Sequence, residues 1–174
     1  LSSLFKTVVS GFILLLLIII LISTTSEFYF DYAFTSFLFR WLHVLSGVMW
    51  IGLLWYFNFV QIPSMPNIPD EHKPAISKVI APKALFWFRW AALSTLITGI
   101  ILGHLNGYLY DALTLDSDNG KNLMIGIGMW LGAIMAFNVW AIIWPNQKRA
   151  LGIIEVSKEE KAIAAKKAML FSRT

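Results

Sequence analysis

Long apolar runs constrain this chain more than any other feature. Four segments stay apolar over about 18 positions or more, which is enough for a helix to cross the roughly 30 Å hydrocarbon layer of a bilayer. The runs are continuous and do not alternate between apolar and polar residues, so they exclude a membrane β-barrel. The sequence predicts a single all-α domain, a polytopic membrane protein with four transmembrane helices at residues 4–23, 37–62, 84–105 and 123–144.

Composition agrees with this prediction and excludes several functions. Hydrophobic residues make up 57% of the chain and charged residues only 14%, against about 25% charged residues in an average soluble domain. The chain has no cysteine, which excludes disulfides, thiolate metal sites, iron–sulfur clusters and covalently attached c-type haem. The net charge of +4 accompanies no nucleic-acid-binding motif.

Prolines and polar flanks set the predicted helix boundaries. Pro63 and Pro145 are expected to stop the second and fourth spans, and Pro82 to lie just ahead of the first turn of the third. The first apolar run is longer than the core of a typical signal peptide, and no small-residue cleavage pattern follows it. It therefore predicts a retained helix.

Beyond the fourth span the sequence becomes polar. The pattern Ser157-x-x-Glu160 is a capping-box signature, and it predicts an amphipathic helix over residues 157–171 on the cytoplasmic membrane surface. The sequence stops abruptly at Thr174, so the natural protein is expected to continue, with a further span as one possibility.

Charges are distributed unevenly between the two sides of this topology. Lysines and arginines concentrate between spans two and three and in the C-terminal tail, which lie on the same side. The other two connections carry five acidic residues and one basic residue, namely Glu27, Asp31, Asp111, Asp116, Asp118 and Lys121. Because basic loops stay in the cytoplasm, both termini are predicted to be cytoplasmic.

A short motif occurs in both span two and span four. The four residues that begin at Met49, Met-Trp-Ile-Gly, match Met-Trp-Leu-Gly at Met129, and Asn58 matches Asn138 at the same offset of 80 residues. Both helices run in the same direction, so the pattern favours a duplicated helical hairpin, with coincidence as the alternative. Such repeats often place a binding site at their interface.

Two histidines are the candidate cofactor ligands. His43 lies about two turns inside span two and His104 about one turn from the end of span three, which places both near the outer face. Two such imidazoles can ligate haem b without any cysteine. Gly47 and Trp50 share the face of His43, and Arg40 lies one turn outward, where it could pair with a haem propionate. The alternative is that His43 packs between helices and His104 is interfacial.

Other residues within the spans fit an architectural role. Arg89 is expected to snorkel to the cytoplasmic surface or to meet a partner or lipid phosphate. Asn58 and Asn138 are expected to hydrogen-bond across helices. Small residues recur every four positions in span three, at Ala91, Thr95, Gly99, Gly103 and Gly107. No acid lies in the middle of a span, which argues against a pump or secondary transporter.

Three segments together resemble the membrane domain of PuuD-type urate hydroxylases, a family of bacterial membrane-bound urate oxidases. They read RWLHVLSGVMWIG with WYFNFVQ at residues 40–61, APKALFWFRW at 81–90, and FNVW through WPNQK at 137–148. The resemblance covers about residues 37–174 and omits the first span. The Leu-His…Trp-x-Gly pattern is also similar to HemJ-type protoporphyrinogen oxidases, which are small haem-binding membrane proteins.

The resemblance implies a redox protein of the bacterial inner membrane that oxidises urate and passes electrons to a cytochrome c. Full-length members carry a c-type cytochrome domain after the helices. This chain has no cysteine for such a domain, so the acceptor would be a separate cytochrome, and urate oxidation by this chain alone is in doubt.

Three functions compete on this reading. The first is a haem b protein that relays electrons near the outer face, beside or within a respiratory chain. The second is a non-catalytic accessory subunit of a larger membrane complex, in which the histidines are incidental. The third, a small transporter or channel, is the least favoured because the spans lack broken helices and buried acids.

Overall fold

A computed structural model describes residues 3–25 and 29–173 as helices and short connections, with no strand among them. Four helical segments are long and apolar enough to cross a membrane: α1 (Leu4–Thr25), α2 (Tyr32–Asn67), α3 (Lys73–Leu105) and α5 (Gly120–Ala150). Two shorter helices are α4 (Leu109–Leu113) and α6 (Lys158–Phe171). The all-α prediction with four candidate spans is confirmed. Glu27 and Thr174 lie outside the described residues.

The chain divides into two compact units, residues 1–37 and 38–174. In the first, α1 is a regular 22-residue helix with no buried residue. The second unit contains α3 to α6 and most of α2, and its apolar core joins α2, α3 and α5. Buried members of the core are Trp50, Phe57, Leu85, Phe88, Ala91, Ala92, Ala136, Val139 and Ile143.

Small and aromatic side chains together bring these helices close. Ala91 and Ala92 on α3 are almost completely buried, and residues without a bulky side chain let helix backbones approach. One turn earlier, the ring of Phe88 meets the ring of Phe57 edge to face at 6.0 Å between centroids, a favoured geometry for aromatic pairs. The small-residue ridge predicted for span three therefore faces the core at Ala91.

The prolines do not end the helices, which corrects the prediction for Pro63 and Pro145. Helix α2 continues to Asn67 and α5 to Ala150. A wide π-helical turn precedes each of these prolines, and the N–H after each turn bonds the carbonyl five residues back, as from Ile62 to Phe57 and from Trp144 to Val139. Regular helix then restarts with proline as its second residue, where no N–H is needed.

The same arrangement occurs in α3. A wide turn at Ile76–Ile80 precedes Pro82, so α3 begins at Lys73 and not at the predicted residue 84. The wide turns of α2 and α5, Tyr56–Gln61 and Asn138–Ile143, contain the repeat residues Asn58 and Asn138. The two copies of the motif thus share a backbone irregularity as well as residue types.

The connection between α3 and α5 folds onto α5 through α4. A Cβ on Gly126 of α5 would overlap the carbonyl oxygen of Ala112, so only glycine permits this approach. Trp130 donates from its indole Nε1 to the carbonyl of Leu113 at 3.0 Å. The Asn122 amide bonds Asp111 at 3.2 Å.

Helix α6 begins with the capping box that the sequence predicted. The Ser157 hydroxyl accepts from the Glu160 N–H at 3.2 Å, and the Glu160 carboxylate accepts from the Ser157 N–H at 3.0 Å. The N–H of Ser157 and its hydroxyl, the latter at 3.1 Å, both donate to the Glu160 carboxylate, and these two bonds lower the pKa of Glu160. Ala164 and Ala168 are buried, and α6 packs against the final turns of α5.

Candidate functional site

A largely apolar cavity of about 450 Å³ opens beside His43. Helix α2 contributes His43 and Trp50, and α4 contributes Leu113. Helix α3 contributes Thr95, Leu96, Gly99 and Ile100. The α5 wall includes two glycines, Gly128 and Gly132, where an added Cβ would meet nothing within 4 Å. We call this space the His43 cavity. Its glycine wall leaves room for a flat ligand.

The His43 imidazole is held against α3 through one of its two nitrogens. Nδ1 lies 3.0 Å from the carbonyl oxygen of Thr95 and 3.2 Å from the hydroxyl of Thr98. A carbonyl oxygen can only accept, so Nδ1 is the donor. The Thr98 hydroxyl donates to the Ser94 carbonyl at 2.6 Å and keeps a lone pair for Nδ1.

This arrangement fixes the tautomer of a neutral His43. With its proton on Nδ1, the ring carries a free lone pair on Nε2, which makes no hydrogen bond to any described residue. Histidine ligands to metals are oriented in the same way, with the distal N–H donated to a backbone carbonyl or carboxylate. Nε2 is therefore the nitrogen of the half-buried His43 that a ligand could use.

Gly99 creates the space in which the imidazole lies. A Cβ at this position would come within 3.0 Å of Cε1 of His43, closer than a side chain tolerates without displacement. Gly47, which the sequence predicts to leave room for a flat macrocycle one turn from His43, is open in the structure, because an added Cβ there would meet nothing within 4 Å. The signal for Gly99 was the four-residue spacing of small residues in span three, which was interpreted only as a packing ridge.

The structure places some of the candidate residues together and others apart. His43 and Trp50 line the cavity, whereas Arg40, Gly47 and His104 are not among its lining residues. Arg40 and His104 are exposed, and the side chain of neither forms a hydrogen bond or ion pair within the described chain. His104 lies five residues beyond Gly99, a rise of about 7.5 Å along the helix. Its role as a second haem ligand stays a prediction.

Trp50 carries a buried polar group without a partner. The residue is only 4% exposed, and its indole Nε1 finds no acceptor among the described residues. A buried donor left unpaired costs about 1–3 kcal/mol. Trp50 lines the His43 cavity and also a second cavity, so a ligand with an acceptor atom could satisfy it.

The second cavity, of about 430 Å³, lies where the two motif copies meet. Asn58 and Asn138 both line it, together with residues that follow the end of α6. The Asn138 amide donates to the carbonyl of Phe171 at 2.9 Å, and Arg173 donates from Nε to Asn58 Oδ1 at 3.2 Å. The sequence predicts that both asparagines hydrogen-bond across helices. In the structure these bonds connect α5 and α2 to the C-terminal residues Phe171 and Arg173.

Arg89 occupies an aromatic environment near the end of α5. Its guanidinium carbon lies 3.3 Å from the ring centroid of Trp144 and 5.6 Å from that of Trp140. Cation–π contacts of this kind contribute about 0.5–2 kcal/mol. The sequence predicts either snorkelling or a partner for Arg89, and the indole ring of Trp144 is one such partner.

Neither the distribution of metal-binding side chains nor comparison with known proteins assigns a function to any residue. The described ranges, 3–25 and 29–173, hold no group of three or more His, Asp or Glu side chains that could bind a metal ion. No protein-family model, curated protein or solved structure matches this chain. The resemblance to urate hydroxylases stays a prediction from the residues quoted above.

Proposed function

We propose that this chain is a membrane redox protein that binds haem b through Nε2 of His43 and relays electrons to a separate cytochrome. The observation that carries the proposal is the Nδ1 bond from His43 to the Thr95 carbonyl, 3.0 Å long, beside a glycine-walled cavity. Bound haem would supply a one-electron centre. The chain's own residues orient the ligand and exclude water.

Each cavity residue has a defined part in this proposal. Thr95 and Thr98 hold the imidazole, Gly128 and Gly132 leave room for the macrocycle, and Trp50 offers an indole N–H. His104 is proposed as the second residue that would hold the haem, which would require its side chain to turn toward His43 from its exposed position. Arg40 is proposed to pair with a propionate at the membrane surface.

The setting of this activity is proposed from charge and resemblance. The resemblance implies a bacterial inner membrane. The basic loops favour both termini in the cytoplasm, which would put the haem near the outer face. Urate is the electron donor that the resemblance indicates. Because urate oxidation needs the separate cytochrome, it is tested only after haem binding.

The test is a reduced-minus-oxidised absorption spectrum of the full chain, purified from cells supplied with a haem precursor. We expect a Soret band and b-type α band in the wild type, and loss of both in His43→Ala. His72→Ala is the matched control, because His72 lies in an exposed turn and should leave the spectrum unchanged. A colourless wild type would overturn the proposal and favour the accessory-subunit alternative, which predicts co-purification at fixed stoichiometry.

A further inference from the structure

Arg89 is a half-buried cation without an anionic partner. Its side chain forms no ion pair or hydrogen bond with any residue that the structure describes, and its Nε is shielded from solvent. Removing a guanidinium from water is costly unless its donors are paired. The rings of Trp140 and Trp144 stabilise the charge of Arg89 but provide no hydrogen-bond acceptor for its N–H groups.

The aromatic contact leaves the hydrogen-bond donors of Arg89 open. Trp144 lies 3.3 Å from the guanidinium carbon, and stacking of this kind covers the face of the guanidinium plane. The N–H donors point outward within that plane, in the fork that fits a phosphate or carboxylate. The Trp144 ring thus holds the guanidinium in place, and the N–H donors at the edge of the guanidinium remain available to an anion.

A second cation lies at the same ring. Nζ of Lys148 is 5.6 Å from the Trp144 centroid, and within the described residues no carboxylate pairs with it. Two positive charges that share one indole repel each other, and an anion between them would remove that repulsion. Lys83 and Arg149 lie near the same ends of the two helices, which is where a leaflet's headgroups begin.

We propose that Arg89, Lys148 and Trp144 form a binding site for a phosphate-bearing anion. A phosphodiester carries one negative charge, which both cations attract, and two unesterified oxygens that fit the fork of Arg89. An anionic lipid headgroup and free inorganic phosphate share this chemistry. The position of the site at the end of the apolar part of α5 makes the lipid the expected source.

The test is native mass spectrometry of the delipidated full chain in detergent. Three additives are compared: phosphatidylglycerol, phosphatidylcholine and inorganic phosphate. We expect one retained phosphatidylglycerol per chain, with at least fivefold lower occupancy in Arg89→Gln and in Lys148→Gln. Lys121→Gln, a change at an exposed lysine at the opposite end of α5, should bind like the wild type.

The outcomes separate the two sources from a purely structural role. Retention of phosphatidylglycerol over phosphatidylcholine assigns the lipid, whereas specific adducts of inorganic phosphate that Arg89→Gln loses assign the free anion. Equal binding by the wild type and both variants overturns the proposal, as does no binding at all. Lys148→Gln keeps the test decisive if Arg89→Gln fails to fold, because Lys148 lies in the last turn of α5.

Discussion

Nδ1 of His43 lies 3.0 Å from the carbonyl oxygen of Thr95. This bond joins α2 to α3 and decides which imidazole nitrogen carries the proton. The Thr98 hydroxyl adds a second acceptor at 3.2 Å. The free Nε2 is the atom that a metal would use.

Thr98→Val should weaken haem binding if His43 is a ligand. The substitution keeps the shape of the side chain and removes one acceptor of Nδ1. Loss of an outer partner of a metal-bound histidine typically costs about 10–100-fold in affinity, and we expect the lower end because the Thr95 carbonyl remains. Haem titration of the purified protein measures the change. Thr114→Val, at an exposed threonine in the α4 connection, is the control, and equal affinities for both variants would contradict the assignment.

Gly99→Ala should destabilise the protein, whether or not haem is bound. The new methyl group would lie 3.0 Å from Cε1 of His43, so the imidazole or the helix must move. Overpacking of this kind costs about 1–3 kcal/mol. Gly47→Ala provides the contrast, because its methyl group meets nothing within 4 Å and alanine favours helix by up to about 1 kcal/mol. Thermal unfolding in detergent should rank Gly99→Ala below the wild type and Gly47→Ala at or above it.

The number and placement of the candidate spans could be predicted from hydropathy, but their ends could not. Proline normally ends a helix because it lacks an N–H and clashes with the preceding turn. Here a wide turn before Pro63 and another before Pro145 absorb both effects. Whether a turn widens depends on tertiary packing around it, and no residue pattern in the sequence reports that packing.

The residues of the His43 cavity could likewise be predicted only in part from the sequence. His43 and Trp50 could be chosen from the sequence because a polar group inside an apolar span is conspicuous. Gly99 could not be matched to His43, because the two lie 56 residues apart and their contact depends on how α2 and α3 pack. The face of a helix that meets a neighbour is decided by that packing.

Acid should loosen the start of α6. Hydrogen bonds from Ser157 lower the pKa of Glu160 below its ordinary value of 4.5. A lowered carboxylate pKa stabilises the helix at pH values above the ordinary one, and that contribution disappears as the pH falls through the folded value. Amide hydrogen exchange at the N–H of Glu160 should therefore quicken below about pH 4.5 relative to its intrinsic rate. Glu160→Gln, which removes the titrating carboxylate, should abolish this dependence, whereas Glu159→Gln should retain it.

Gly126→Ala should be among the most damaging small substitutions in this chain. An added Cβ would overlap the carbonyl oxygen of Ala112, and backbone cannot turn aside as a flexible side chain can. The connection would have to separate from α5, which would break the bond from the Trp130 indole to Leu113. We expect a loss of at least about 3 kcal/mol and a red shift of tryptophan emission. Gly128→Ala, two residues along and open within 4 Å, should unfold like the wild type, so equal stability of the two variants would contradict this close approach.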